Sequence, residues 1–193
     1  TRLIPNADLI CGDVKIAEYD VPGSQGLSEK IADVFDSGVN TVMLENHGVV
    51  VGHKDLFSAF MAFETLDFCA RLEINALKIG VPVPLDERKI EISAKKNHAE
   101  LDEFVVKSYS SEEREARAKM SALISRSYDQ RLFTSTQGTF SERLSDGSFI
   151  ITPYGIDRKY VTAESIVRIK DGMKELGKNP SRSVKLHEEI YKA

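Results

Sequence analysis

Thr41-Val42-Met43-Leu44-Glu45-Asn46-His47-Gly48-Val49-Val50-Val51-Gly52 is the stretch on which the fold turns. An apolar, β-branched run, a polar corner and a second β-branched run predict two buried strands meeting at Glu45-Asn46-His47-Gly48. Upstream, Leu27, Ile31, Val34 and Phe35 recur at helical spacing until Ser37-Gly38 stops the pattern, which predicts a helix from Gly26. Residues 3–10 and 14–21 are short, partly β-branched runs, and Val21-Pro22-Gly23-Ser24 closes the second with turn chemistry. Such runs alternating with helical patterns imply an α/β layer structure.

Downstream, residues 55–79 predict the longest helix, capped by Asp55 and ended by Gly80 and Val81-Pro82-Val83-Pro84. Its apolar face is expected to run through Leu56, Phe60, Phe63, Leu66, Ala70, Ile74 and Leu77. At roughly 37 Å it is long enough for part of it to face a partner subunit. Dense mixed charge fills Asp86 to Glu115, broken by Ser108-Tyr109-Ser110-Ser111, where a boundary is expected. Residues 1–107, ending in this charged connector, then form one region and residues 108–193 another. Ser110 with Glu113 reads as a capping box for a helix to about Ser127, and Leu132 to Ile151 as a loop plus a hairpin.

The chain has 193 residues, 41% hydrophobic and 29% charged, enough for one domain or two small ones with a real core. With 26 basic against 30 acidic residues its net charge is −4, so no positive surplus exists to hold nucleic acid or an anionic membrane surface. Cys11 and Cys69 have no Cys-x-x-Cys spacing, which fits a reducing cytoplasm better than a disulfide framework or a zinc ribbon. Charges interrupt every apolar stretch well before the roughly 20 residues of a bilayer span. A soluble, cytoplasmic chain is expected. The Thr1 start and the helical character of the last residues suggest a piece of something longer.

Among residues that carry chemistry, His47 stands at a corner held by two strands, beside a glycine that admits close approach. That suits a metal ligand, although a lone histidine at a strand end is more often a hydrogen-bonded packing residue. His53 is read in a turn, His98 in a charged helix and His187 before Glu188-Glu189, and no His-x-His or His-Glu-x-x-His spacing assembles a catalytic zinc site. Thr134-Ser135-Thr136-Gln137-Gly138-Thr139-Phe140-Ser141 gathers hydroxyls around one glycine, a bend suited to phosphate oxygens. Without other context such a run is more often a solvated loop. Ile151-Thr152-Pro153-Tyr154-Gly155 is a second tight turn that suits the same anion. Glu45, Glu64 and Glu73 offer carboxylates for general-base work, the last two at helix positions typical of surface charges.

Several of these motifs converge on one family. Glu18-Tyr19-Asp20-Val21-Pro22-Gly23-Ser24, Leu44-Glu45-Asn46-His47-Gly48 and the long helix with Ala59, Glu64 and Ala70 resemble the C-terminal half of the class II aldolase/adducin fold. Thr136-Gln137-Gly138-Thr139-Phe140-Ser141, Arg143, Asp146-Gly147, Ile151-Thr152-Pro153-Tyr154-Gly155-Ile156 and Lys178-Asn179-Pro180-Ser181 resemble its N-terminal half. The resemblance implies α/β/α layers with the halves in permuted order, as where the end of one tandem repeat joins the start of the next. L-fuculose-phosphate-type aldolases of this family use a divalent metal, usually Zn2+, on three histidines to stabilise an enediolate.

What the resemblance implies for residues follows: His47 as a metal ligand, and Thr136, Gly138, Thr139, Ser141, Gly155 and Ser181 as phosphate binders. It also implies a phosphorylated sugar substrate and a homo-oligomer. The family's His-x-His pair has no counterpart, Tyr154 stands where the aldolases carry a smaller Thr, and Ser183 stands where they carry the acid/base Glu. Serine cannot act as a carboxylate base near neutral pH. A metal-dependent carbon–carbon lyase acting on a ketose phosphate is the leading expectation for the intact protein. The alternatives are a non-catalytic binding or assembly domain, as in the adducin branch, and a sugar-phosphate epimerase. For the anion site, Gly138 is expected in a conformation that disfavours a side chain, with Arg182 supplying positive charge.

Overall fold

The computed structural model describes residues 2–95 and 99–193, so the reading of His98 falls outside the described residues. The chain divides into two compact units, Thr1–Lys96 and Asn97–Ala193.

In the first unit, the run read as β-branched at residues 3–10 is largely helix, because α1 spans Pro5–Cys11. Pro5 opens it, where the fixed φ is already helical and the missing N–H is no loss. Ala7 and Cys11, four residues apart, form its buried edge. After β1, Val14–Ala17, comes α2, Gln25–Asp36, whose start is capped by Ser24 Oγ accepting from the Leu27 amide at 3.0 Å. β2, Thr41–Leu44, lies parallel to β1, and β3, Gly48–Val51, returns antiparallel to β2. The two strands expected around the polar corner are thus present. Ala17, Val42 and Leu44 bury one sheet face against Ile31, Val34 and Phe35 of α2.

α3, Leu56–Ile79, starts and ends where its caps predict, with Asp55 Oδ1 accepting from the Ser58 amide at 2.7 Å. Its buried side does not. Ser58, Ala62, Thr65, Leu66 and Cys69 are buried, whereas of the expected face only Leu66 is, and Leu56, Phe60, Phe63, Ile74 and Leu77 are exposed. The reason is the close approach of α1, which brings Cys11 Sγ within 3.4 Å of the Ala62 carbonyl, so the contact selects small side chains. A short helix, α4, Glu87–Ala94, follows within the charged connector, whose residues 99–107 belong to the second unit.

The second unit opens with β4, Glu103–Phe104, and α5, Ser111–Asp129, capped by Ser110 Oγ accepting from the Glu113 amide at 3.1 Å. The expected hairpin follows as β5, Ser141–Arg143, and β6, Phe149–Ile151. A 3-10 turn at Arg158–Tyr160, then β7, Val167–Lys170, β8, Met173–Glu175, and α6, Val184–Lys192, complete it. The five strands are ordered β4-β8-β7-β6-β5, an antiparallel meander with β4 added in parallel at one edge. Ile150 packs with Ala116, Met120 and Ile124 of α5, while Phe149 and Ile151 pack with Val184 of α6, so both faces are covered. Buried among these elements, Arg117 pairs with Glu113 at 2.7 Å and Glu175 at 2.6 Å, and Arg168 reaches Glu113 at 2.8 Å.

Candidate anion-binding site

Three segments of the second unit zip together around the hydroxyl-rich loop. The Phe140 amide donates to Thr152 Oγ1 at 2.8 Å and the Thr152 amide returns to the Phe140 carbonyl at 3.0 Å. The Ser181 amide donates to the Thr152 carbonyl at 2.9 Å, and the Tyr154 amide to the Asn179 carbonyl at 2.8 Å. These bonds place the Thr139 and Ser181 hydroxyl oxygens 2.7 Å apart, with the Ser183 amide donating to Ser181 Oγ at 3.3 Å. Gly138 has φ +77°, and a Cβ there would lie 2.6 Å from the Phe133 ring, so the turn needs glycine twice over. Gly155 also sits at positive φ, +72°.

Behind the loop lies Arg158, a residue with no motif to flag it. Only 3% exposed, it donates from Nε to the carbonyls of Gln137 and Gly138 at 3.1 and 3.2 Å. Nη1 reaches the carbonyls of Pro153 at 3.1 Å and Ile156 at 2.8 Å, and Nη2 that of Thr136 at 3.5 Å. One guanidinium thus staples the two turns that the sequence reading singles out. The side-chain polar atoms Thr134 Oγ1, Thr136 Oγ1 and Gln137 Nε2 are buried without a hydrogen-bond partner among the described residues, an arrangement that usually has an explanation in water or ligand.

Ser141 is engaged by α6: its Oγ lies 2.7 Å from His187 Nδ1 and 2.6 Å from the Tyr191 hydroxyl. Burial pushes His187 below the usual histidine range, which keeps the ring neutral at neutral pH. Arg182 lies over the Tyr154 ring, 5.8 Å from its centroid, so a cation and the bulky turn residue are held together. Ser183 stands at the N-cap position of α6 and its side chain makes no capping bond.

In the first unit His47 lies in the turn between β2 and β3, exposed, after Asn46 with φ 53°. Glu45 in the same turn accepts from the Tyr19 amide at 2.9 Å, Glu73 is exposed on α3, and Glu64 is half-buried there. Among the described residues no group of three or more His, Cys, Asp or Glu side chains comes together to hold a metal ion. They do not make a divalent-cation centre by themselves. Nor is any helix among them long and apolar enough to cross a membrane.

A family model, the class II aldolase and adducin N-terminal domain, matches residues 4–74 and 118–193. The chain is 31% identical over 86 residues to 5-deoxy-D-ribulose 1-phosphate aldolase of Bacillus thuringiensis serovar kurstaki, covering 44% of this chain and 39% of that protein. It is 30% identical over 76 residues to L-fuculose phosphate aldolase of Methanococcus maripaludis, covering 38% of this chain and 41% of that one. A solved L-fuculose 1-phosphate aldolase shares 33% identity over 47% of this chain and 42% of its own, with a TM-score of 0.42. The chain spans about two fifths of the length of the curated relatives it matches, 39% and 41%.

Proposed function

Because the chain belongs to the class II aldolase and adducin family, we propose that its second unit holds the phosphate of a phosphorylated sugar through Thr136, Gly138, Thr139, Gly155 and Ser181. The intact protein, in this reading, is a cytoplasmic, homo-oligomeric, metal-dependent lyase that cleaves a carbon–carbon bond of a ketose phosphate such as L-fuculose phosphate. The observation that carries the phosphate site is the Thr139–Ser181 hydroxyl pair, 2.7 Å apart, beside a glycine at φ +77°. One hydroxyl donates to the other, and the acceptor of the pair keeps its own proton free to turn outward to an oxygen ligand, since rotation about C–O is cheap. Ser141 supports the site by anchoring β5 to α6 through His187 and Tyr191. The named curated relatives are aldolases of phosphorylated sugars. His47 is the ligand this chain contributes to a Zn2+ that needs about three protein ligands in all.

A second reading is favoured by Ser183: the second unit binds the anion without cleaving anything, because no carboxylate occupies the position where the family's base is expected. Titrating inorganic phosphate into the chain while following amide chemical shifts tests the shared premise. Shifts at Gly138, Thr139 and Gly155 at millimolar phosphate, lost in Thr139→Val with Ser181→Ala, support it, and unmoved amides overturn it. Cleavage of L-fuculose phosphate by the intact protein with Zn2+ separates the lyase from the binding-only reading. Gly138→Val is the poorer probe, because the clash with Phe133 also weakens the fold.

A further inference from the structure

We infer that Arg158 is the fixed cation of this anion site: it aims the Gly138 and Thr139 amides at the ligand and makes the site prefer a phosphate dianion. The inference rests on the phosphate reading above. The chain contains no cis peptide among the described residues, and in a trans peptide the carbonyl of one residue and the amide of the next point in opposite directions. Arg158 Nε holds the Gln137 and Gly138 carbonyls at 3.1 and 3.2 Å. The Gly138 and Thr139 amides therefore point away from the guanidinium. By gripping the carbonyls of Pro153 and Ile156 with Nη1, the same side chain fixes the second turn, with Gly155, relative to the first. Guanidinium donation also polarises those peptide groups, which strengthens their amides as donors on the far side.

The charge itself is unusual in its company. Arg117, equally buried, ends on two carboxylates, and although burial pulls its pKa down, Glu175 and Glu113 outweigh that and hold it above the ordinary arginine range. Arg158 ends on neutral carbonyls, and burial pulls it down to about 10 against the opposing pull of Asp157, so it stays cationic at neutral pH. Asp157 is the acidic group facing it, and that carboxylate is itself occupied in capping the Lys159 amide at 2.8 Å. A buried cation satisfied only by carbonyls bears a desolvation cost that a dianion beyond the loop offsets.

The test follows the Arg158 Nε–H resonance with the backbone amides while inorganic phosphate is added to the wild-type chain at several pH values. Nε–H is expected to shift together with Gly138 and Thr139 at one common affinity, which tightens as phosphate loses its second proton. Sulfate, a dianion throughout, should show no such slope. Arg158→Met is expected to weaken phosphate binding about tenfold or more, and Arg158→Lys, which keeps the charge but not the fork, by less. Amide shifts with an unmoved Nε–H, or an Arg158→Met chain of unchanged affinity, overturn the inference and leave the phosphate reading standing. If Arg158→Met does not fold, the wild-type Nε–H response decides. Wild-type amides that ignore phosphate sink both.

Discussion

In the second unit the inner strand β6 is buried on both sides, between α5 and α6, and the charges of Glu113, Arg117 and Glu175 are buried with it. In the first unit the sheet has three strands, one face packed by α2 and the other covered only in part, at Thr41. On that second face Ile16 and Met43, paired in register across β1 and β2, are 65% and 43% exposed. Its ion pairs, such as Arg71–Asp67 and Lys89–Asp86, lie at the surface. The difference teaches where stability is concentrated. The second unit closes a core around itself and can hold charges out of water because each has several partners. The first covers its sheet less completely and leaves the apolar pair Ile16 and Met43 partly in water.

The contrast breaks most visibly at the buried ion network. Arg117→Met leaves Glu113 and Glu175 buried without their shared partner, so the second unit should lose about 3–5 kcal/mol. Amide exchange at Ile150 reads that loss, and an effect under about 1 kcal/mol would show that water reaches the network. Next in size is the close helix contact of the first unit. Ala62→Leu should cost about 1–3 kcal/mol by forcing α1 away from α3, seen as faster exchange in α3. If the first unit is instead stabilised, the small-residue stripe is not a tight contact.

Smaller effects separate the units along the pH axis. Burial, reinforced by the neighbouring Cys69, pushes the Cys11 thiol from 9.0 up to about 11. The unfolded chain therefore loses this proton first, and stability of the first unit is full below pH 9 and falls as pH rises towards 11. His187 has the opposite sense: burial lowers it from 6.5, so its contribution is full above that value and is lost as pH falls through the lower, folded one. Unfolding at alkaline pH and at pH just below 6.5, above the range where the lowered carboxylates Asp20 and Asp55 titrate, with Val42 and Ile150 amides as reporters, should show the first unit weakening in base and the second in mild acid. The same unit failing at both ends would contradict this. Least of all should change with Met43→Thr, within about 0.5 kcal/mol, because that residue is already 43% exposed.

Much of the fold was legible in the chain because its signals are local. Ser24, Asp55 and Ser110 each accept from an amide three residues on, so the starts of α2, α3 and α5 could be read from neighbouring residues alone. The β2–β3 turn and the β5–β6 hairpin are of the same kind, and the family resemblance rests on equally short motifs. The candidate site was half legible. Gly138 and the hydroxyls announce themselves by composition. Arg158 does not, since its partners lie up to 22 residues away and lone arginines between acidic and basic neighbours carry no pattern.

What the sequence by itself determined, then, is where elements begin, where they end and which loop concentrates donors, because these follow from backbone chemistry within a few residues. Only the tertiary structure decided which side of each element matters. α3 carries apolar side chains around most of its circumference, so no periodicity selects one face, and the approach of α1 selects the small one. Likewise Ser141 meets His187 and Tyr191 across 46 and 50 residues. Contacts at that separation are set by how layers stack, and stacking is a property of the whole core that no local run of residues encodes.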